Sequence, residues 1–171
     1  MAGIERVAVI GAGTMGHGIA QVVAQSGLTV TLVDVAEAAL ERAVGRIHAN
    51  LDRAVEKGRL EAADAEAAKA RLSTTTDLEA AGGEADHVIE TVIEDIDVKA
   101  DVLRRLDAVC RDDVVFASNT SQFSISRLAA ATERPDRVIG SHWFNPPPVM
   151  GLIEIIRGLE TSDETLATTM A

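Results

Sequence analysis

A histidine and a glutamate flank a proline-rich segment near the end of the chain. His142 ends a predicted strand, Asn145 opens the run Asn-Pro-Pro-Pro, and Glu154 lies on the next predicted strand. Prolines fix backbone torsions and cannot donate to a strand ladder, so the chain must turn here and can bring Glu154 back towards His142. A carboxylate that orients an imidazole makes it an effective general base near neutral pH. The pair is therefore a candidate for proton transfer, whereas either residue taken alone is more often structural.

A hexapeptide near the N-terminus has the spacing G-x-G-x-x-G, between a predicted strand and a predicted helix. This is the fingerprint of a dinucleotide-binding βαβ unit. The first glycine permits the tight turn, the second lets the backbone approach a pyrophosphate, and the third lets the helix lie close to the strand. The helix N-terminus then presents free N–H groups to the phosphates. We expect the whole hexapeptide to contact the cofactor: Gly11, Ala12, Gly13, Thr14, Met15 and Gly16.

An aspartate, Asp34, ends the second predicted strand at about the distance of twenty residues that the fingerprint requires. Its carboxylate would accept hydrogen bonds from the adenosine ribose hydroxyls, and its charge would repel a 2′-phosphate. The prediction is therefore NAD rather than NADP. The glycine motif alone is weak evidence, with an ordinary glycine-rich turn as the alternative, but the strand, the helix and Asp34 together favour a cofactor site.

Strands and helices alternate along the chain, and this alternation predicts the scaffold that positions these residues. It indicates an α/β fold of the Rossmann type, with a doubly wound, mostly parallel sheet covered on both faces. Two consecutive helices within residues 36–72 exceed what a crossover needs, so we expect them to form an arm that projects from the sheet. Strands are predicted at 6–10, 29–33, 73–76, 88–92, 114–117, 137–141 and 152–156, and other helices at 15–26 and 95–110.

The last residues of the chain carry a helix start signal. Thr161 and Glu164 form the capping-box pattern T-x-x-E. A helix that ends so soon afterwards is not stable without packing partners. We therefore expect residues 1–158 to form the cofactor-binding domain and residues 159–171 to begin a helical domain that is truncated here. The alternative is a short helix that packs back onto the sheet.

The composition of the 171-residue chain excludes several classes of function. A net charge of −11 argues against nucleic acid as a partner, because binding to phosphates needs a basic surface. No apolar run approaches the roughly 18–20 residues that cross a membrane. Cys110 is the single cysteine, so no internal disulfide is expected, and a reducing, cytoplasmic location is the simplest interpretation. No cluster of residues predicts a metal site.

With these motifs, the chain resembles the NAD-binding domain of the L-3-hydroxyacyl-CoA dehydrogenases, including bacterial 3-hydroxybutyryl-CoA dehydrogenases. The similarity covers essentially all of residues 4–171. It depends on four stretches in the order and spacing of that family: VIGAGTMGHGIAQ, TLVD, ASNTSQFSI and HWFNPPPVMGLIEII. The resemblance implies an enzyme that uses NAD to oxidise (S)-3-hydroxyacyl-CoA to 3-ketoacyl-CoA.

The resemblance also implies catalytic roles. His142 would remove the proton from the 3-hydroxyl of the substrate while hydride passes from C3 to the nicotinamide. Glu154 would orient His142 and stabilise the imidazolium that forms. Ser121 would hydrogen-bond the reacting oxygen and also lie against the cofactor.

Further binding residues follow from the same resemblance. Asn145 would contact the nicotinamide end of the cofactor, and Glu94 and Lys99 would hold the nicotinamide ribose. Without the resemblance, Glu94 and Lys99 would be interpreted as solvated charges at a helix start. Lys57 and Asn50 fall where the family contacts CoA, and the alternative is a solvated helix face.

The sequence departs from the family in two respects. Gly151 stands where many members carry a basic residue. The C-terminal helical domain, which in the family supplies a further catalytic asparagine, closes over the acyl-CoA and forms the dimer, is not part of the sequence. We therefore expect this chain to bind NAD with little or no turnover, and the full-length protein to be a homodimer. The alternatives are a related dehydrogenase of free 3-hydroxy acids, such as gulonate or carnitine, and a non-catalytic NAD-binding module.

Overall fold

The computed structural model describes residues 3–171 and contains one mixed sheet. Its strands are β1 (Arg6–Ile10), β2 (Thr29–Val33), β3 (Leu72–Thr75), β4 (His87–Glu90), β5 (Val115–Ser118), β6 (Val138–Trp143) and β7 (Ile153–Arg157). Their order across the sheet is β3-β2-β1-β4-β5-β6-β7. Neighbouring strands are parallel except β6 and β7, which are antiparallel. The mostly parallel Rossmann-type sheet predicted from the sequence is confirmed.

Seven α-helices connect or follow these strands within the described residues. They are α1 (Gly16–Gln25), α2 (Glu37–Glu56), α3 (Ala62–Ala70), α4 (Leu78–Glu84), α5 (Ile96–Asp107), α6 (Ile125–Ala129) and α7 (Asp163–Met170). The sequence pattern did not predict the short helices α4 and α6. Among residues 3–171, no helix is both long enough and apolar enough to cross a bilayer.

The two faces of the sheet bury separate hydrophobic clusters. Along β1, Val7 and Val9 belong to the cluster that packs on α1–α3, and Ala8 and Ile10 belong to the cluster that packs on α4–α6. Successive side chains of a strand point to opposite faces, and a parallel sheet is covered on both. This double burial explains why the central strands are apolar without alternation.

The predicted arm does not project from the domain. Four residues of α2 at helical spacing are buried in the same cluster as α1: Leu40, Ala43, Ile47 and Leu51. Ala65 and Ala68 of α3 join them, and alanines allow α3 to approach α1 closely. The expectation of a projecting arm is wrong because the apolar stripe of α2 needs a partner, and α1 supplies it.

The C-terminal helix also packs on this domain. Thr165 of α7 is fully buried, and its Oγ1 donates to the carbonyl of Asp136. The helix is capped by Ser162, whose side chain accepts from Thr165 N, and not by Thr161 as the T-x-x-E pattern suggests. Thr161 Oγ1 donates instead to the carbonyl of Val138 at 2.7 Å. Residues 159–171 thus include a short helix that packs back onto the sheet. The expectation that they also begin a further helical domain stays a prediction.

Strand β7 forms one outer edge of the sheet, with β6 as its single strand neighbour. Most of its residues are exposed, including the apolar Ile153 and Ile156. The preceding segment exposes Val149 and Leu152 as well. This edge therefore presents an apolar surface next to a strand that is held from one side alone.

A buried histidine gives the fold a predictable response to acid. His87 begins β4, and its Nδ1 has no hydrogen-bond partner among the described residues. Burial lowers its pKa from 6.5 to about 4, so the unfolded chain binds the proton more tightly between these values. We expect the free energy of unfolding to fall by about 3 kcal/mol from this residue alone as the pH drops from about 6.5 to about 4. Urea unfolding across this range measures the fall, and His87→Leu is expected to remove this part of it.

The neighbouring carboxylate acts in a different pH window, which separates the two effects. Burial raises the pKa of Asp86, but hydrogen bonds from Arg6 and Arg111 outweigh it and hold the pKa at about 2. The stability contributed by Asp86 is present above about pH 4 and is lost as the pH falls towards 2. A His87→Leu variant that loses as much stability as the wild type between pH 6.5 and 4 would contradict the assignment to His87.

Candidate active site

A cavity of about 470 Å³ lies at the carboxyl ends of the central strands. It is lined by the glycine loop after β1, the segment after β4, two residues after β5 and the end of β6 with the residues that follow. The chain passes from β1 to β2 on one side and later returns to β4 on the other. In open α/β sheets, ligands bind at this reversal of strand order, beyond the carboxyl ends.

The glycine loop is shaped by two different requirements. Gly11 has a φ of 102°, and a Cβ there would lie 2.6 Å from the carbonyl oxygen of Thr91. A Cβ at Gly16 would lie 1.7 Å from the carbonyl oxygen of Gly11. Packing within the protein therefore demands both glycines. A Cβ at Gly13, in contrast, would meet no atom within 4 Å, which leaves the backbone open to a ligand.

The groups around this loop fit a dinucleotide. No side chain caps α1, whose first turn also lacks an acidic residue, so its N-terminus can receive a phosphate. Asp34 follows β2, and its two carboxylate oxygens accept hydrogen bonds from Ala12 N at 2.9 Å and Ala36 N at 3.0 Å. A carboxylate has about four acceptor sites, so lone pairs remain for ribose hydroxyls.

The antiparallel ladder of β6 and β7 places His142 directly opposite Glu154. Facing residues of such a pair extend to the same side of the sheet. The distance from His142 Nδ1 to Glu154 Oε2 is 2.7 Å, and the distance from His142 Nε2 to Ser121 Oγ is 3.1 Å. Because a carboxylate accepts hydrogen bonds, the neutral ring carries its proton on Nδ1 in this arrangement, and Nε2 keeps the lone pair that a general base needs.

The loop after β5 carries Ser121 to His142, and its first residues are held by contacts with β6 and with Glu94. Asn119 Oδ1 accepts from Trp143 N at 2.9 Å, which joins the loop to β6. Glu94 Oε1 accepts from Thr120 Oγ1 and from Ser121 N. Burial raises the pKa of Glu94, but hydrogen bonds from Thr120 and the ammonium group of Lys99 lower it below its usual value. Glu94 is therefore ionised at neutral pH.

Lys99 is not a solvated charge, as its sequence context alone suggested. It is fully buried on α5, and its Nζ lies 2.8 Å from Glu90 Oε1 and 3.1 Å from Glu94 Oε2. Glu94 lines the cavity, and Lys99 lies behind it. Neither Glu90 nor its contact with Lys99 was predicted from the sequence. The one signal that could have indicated Glu90 is its position as an acidic residue at the end of an apolar strand.

The proline segment is held against the helix that follows the glycine loop. A Cβ at Gly18 of α1 would lie 2.9 Å from Cδ of Pro147 and 3.2 Å from Cδ of Pro148. Asn145, which lines the cavity, lies at the start of this segment. Gly18 was not predicted as a site residue, yet it links the two motifs that carry the chemistry.

Substitution of Gly18 tests this contact. Since proline ring atoms cannot move away without the backbone, Gly18→Ala is expected to displace the segment. The control is Gly45→Ala on α2, where a Cβ would meet nothing within 4 Å and the gain in helix propensity is similar. We expect Gly18→Ala to be about 1–3 kcal/mol less stable than Gly45→Ala in urea unfolding. Equal stability of the two variants would mean that the segment is not held by α1.

The two residues assigned to CoA lie away from this cavity. Asn50 of α2 is half-buried and donates to Gln21 Oε1 of α1 at 3.1 Å. Lys57 is exposed where α2 ends. Neither lines the cavity that contains His142. The structure thus brings together Ser121, His142, Glu154, Asn145 and the glycine loop, and leaves Asn50 and Lys57 outside.

Comparison with known proteins gives a consistent result. Residues 6–171 match the family model described as "3-hydroxyacyl-CoA dehydrogenase, NAD binding domain". The chain is 43% identical to the probable 3-hydroxybutyryl-CoA dehydrogenase of Bacillus subtilis (strain 168), over 98% of this chain and 58% of that protein. It is also 43% identical to the 3-hydroxyadipyl-CoA dehydrogenase of Escherichia coli (strain K12), over 97% of this chain and 35% of that protein.

Solved structures agree with the sequence comparison. The crystal structure of (S)-3-hydroxybutyryl-CoA dehydrogenase from Ralstonia eutropha matches with a TM-score of 0.93 and 46% identity, covering 97% of this chain and 58% of that one. The chain therefore spans less than two thirds of the length of these relatives.

Proposed function

The chain belongs to the 3-hydroxyacyl-CoA dehydrogenase family, as an NAD-binding domain, and we propose that the protein oxidises (S)-3-hydroxyacyl-CoA to 3-ketoacyl-CoA with NAD. The observation that supports this most is the series Ser121–His142–Glu154, whose first two members line the same cavity as the glycine loop. A general base beside a dinucleotide loop is what removal of a hydroxyl proton during hydride transfer requires.

Three side chains share the proton chemistry. Because Nδ1–H donates to Glu154, His142 presents the lone pair of Nε2 to the 3-hydroxyl of the substrate. As the hydroxyl proton moves to Nε2, Glu154 stabilises the imidazolium and Ser121 donates to the reacting oxygen. The bound nicotinamide supplies the acceptor for the hydride that leaves C3. In the reverse direction, His142 returns the proton to the oxygen of the keto group.

The same three side chains have the order of a hydrolase triad, but their surroundings favour the dehydrogenase. A serine hydrolase needs N–H groups that converge on an oxyanion. The backbone N–H of Ser121 donates to Glu94, and those of Gln122 and Phe123 donate to Thr120 Oγ1. All three N–H groups that begin at the serine are therefore already engaged. Release of free CoA from acetoacetyl-CoA in the absence of NADH would contradict this interpretation.

A substrate panel tests the proposal. It compares acetoacetyl-CoA, longer 3-ketoacyl-CoAs and free 3-keto or 3-hydroxy acids by NADH absorbance in a full-length protein that contains this domain. We expect turnover with the CoA esters and propose that Lys57 and Asn50 contribute to CoA binding from α2. Preference for free acids would instead favour a dehydrogenase of the gulonate or carnitine type, and binding of NADH with no turnover of any substrate would favour a non-catalytic module.

We also propose that the 171-residue chain alone binds NAD with little turnover, and that the full-length protein is a homodimer. The side chain of Glu154 is 54% exposed and that of His142 is 22% exposed, so water reaches the proposed base. Exclusion of water strengthens the electrostatic interactions on which such a site depends. Substantial activity of the purified 171-residue chain would contradict the first proposal.

In this proposal the cofactor is bound by the hexapeptide Gly11–Gly16, Asp34, Glu94, Ser121 and Asn145, with the buried Lys99 acting through Glu94. The choice between NAD and NADP depends on Asp34. Asp34→Ser is expected to weaken NADH binding. It should also bring the dissociation constants of NADH and NADPH closer together, because the charge that repels a 2′-phosphate is gone. Fluorescence titration of the 171-residue chain with both cofactors measures the two dissociation constants. Asp64→Ser, at an exposed position of α3, is the control. An unchanged ratio in Asp34→Ser would exclude Asp34 as the selecting residue.

A further inference from the structure

A fully buried ion pair lies behind the cavity, and its carboxylate has no part in the chemistry described so far. Glu90, at the end of β4, and Lys99, on α5, expose no side-chain surface, and 2.8 Å separates Nζ from Oε1. Glu90 Oε1 also accepts from Val92 N at 2.8 Å, and Oε2 accepts from Ser118 Oγ at 2.6 Å. Both carboxylate oxygens of Glu90 are thus fixed by neighbours on β5, α5 and its own loop.

From this pair, a continuous series of polar contacts leads to the proposed base. Lys99 Nζ contacts Glu94 Oε2 at 3.1 Å. Glu94 Oε1 accepts from Ser121 N at 3.1 Å, and Ser121 Oγ lies 3.1 Å from His142 Nε2. Each contact in the series joins a charged or hydrogen-bonding group to the next. The position of Glu90 is therefore transmitted to the hydroxyl that faces the base.

A second route from Glu90 reaches the same loop through the backbone. The carbonyl of Glu90 accepts from Asn119 N at 2.8 Å, while its side chain holds Ser118. These two residues end β5 and begin the loop that carries Ser121. Asn119 in turn accepts from Trp143 N, next to His142. Both routes from Glu90 therefore converge on the pair Ser121 and His142.

The charges explain why Glu90, rather than Lys99 alone, determines this geometry. A buried ammonium group needs a compensating carboxylate and moves towards whichever one is available. Lys99 lies between two carboxylates, of which Glu90 is also held by Val92 N and Ser118 Oγ and Glu94 lies at the cavity wall. Without the charge of Glu90, the ammonium group would be drawn to Glu94, and Glu94 would shift with the N–H and hydroxyl groups that it holds.

We propose that Glu90 is a positioning residue, which acts through Lys99 and Glu94 to set Ser121 Oγ against His142 Nε2. Its catalytic consequence rests on the proposed function, whereas the positioning is a property of the chain without substrate or cofactor. Two measurements therefore separate the two ideas.

The first measurement is the state of the His142 ring in the 171-residue chain, from long-range ¹H–¹⁵N NMR spectra. Glu90→Gln keeps the size of the side chain and removes its charge. We expect the Nε2 resonance to move towards its position in Ser121→Ala, and Glu90→Gln to add no further shift in the Ser121→Ala background. The control is Glu79→Gln, which removes the carboxylate of the exposed pair Glu79–Arg105 between α4 and α5 and should leave the resonance unchanged.

The result that overturns the proposal is a Glu90→Gln variant with a lower melting temperature and wild-type ring resonances of His142. If Glu90→Gln fails to fold, Ser118→Ala replaces it, because it keeps both charges and frees one oxygen of Glu90. A shift of the Nε2 resonance is required there too, and an unchanged resonance overturns the proposal.

The second measurement is turnover in a full-length protein that contains this domain. Glu90→Gln is expected to lower kcat on the order of tenfold to a hundredfold, as for a small misplacement of reacting groups. A wild-type kcat in this variant would overturn the positioning role. If the wild-type protein turns over no substrate but Glu90→Gln still shifts the Nε2 resonance, the proposed function is refuted and the positioning role of Glu90 stands.

Discussion

Replacement of His142 by glutamine is expected to lower turnover of 3-ketoacyl-CoA about 10²–10⁴-fold. Glutamine fills a similar space and can still hydrogen-bond Ser121, but it cannot take up or return a proton. Affinity for NADH is expected to change little, because the glycine loop and Asp34 are untouched. Initial rates of NADH oxidation in a full-length protein, and fluorescence titration of the cofactor, measure the two quantities separately.

Glu154→Gln provides a graded comparison for the same site. The amide oxygen can still accept from His142 Nδ1, while the charge that stabilises the imidazolium is lost. Its rate is expected to lie between those of the wild type and His142→Gln. If His142→Gln lowers turnover less than tenfold, another residue acts as the general base, whatever the result for Glu154→Gln.

The largest expected effect on stability is that of Lys99→Met. This change leaves Glu90 and Glu94 without the buried ammonium group that lies between them. Removal of one partner from a buried ion pair costs about 3–5 kcal/mol, because an uncompensated charge remains. We therefore expect a decrease of this size in the free energy of unfolding at pH 7, measured with urea.

The control is Arg104→Met, which removes a charged side chain from the same helix. Its ion pair with Asp101 is well exposed, and the expected loss is below about 1 kcal/mol. The double variant Glu90→Gln/Lys99→Met should recover part of the stability lost in Lys99→Met, since one of the two stranded charges is removed with it. Similar losses in Lys99→Met and Arg104→Met would contradict the buried pair as a source of stability.

The elements predicted best are those whose sequence signal is local. The bounds of β1 and β2 agree with the prediction, because an apolar run between turn residues needs no distant information. Helix α4 was missed because it contains Gly82 and Gly83, which weaken a helical signal. Gly82 is there for a tertiary reason, since a Cβ would lie 2.7 Å from Cδ2 of Leu106 on α5. That reason cannot be seen in the sequence.

In the candidate site, too, the features with a local sequence signal could be predicted and those that depend on tertiary structure could not. The turn that returns Glu154 to His142 could be predicted, because prolines dictate it locally. The approach of Ser121 to His142 follows from the pairing of β5 with β6, and only the family resemblance indicated it from the sequence. Lys99 appeared solvated because its partners, Glu90 and Glu94, come from a strand end and a loop that the fold alone brings to it.

The position of β7 at the edge of the sheet has a consequence for the two halves of the site. The dinucleotide loop belongs to β1, in the middle of the sheet, whereas Glu154 reaches His142 only while the outermost ladder stays closed. Local opening of that ladder would cost far less free energy than global unfolding and would separate the carboxylate from the imidazole. Cofactor affinity thus depends on the rigid centre of the sheet, whereas proton transfer depends on its more easily opened edge. Amide hydrogen exchange should accordingly be fast along Ile153–Arg157 and slow along Arg6–Ile10.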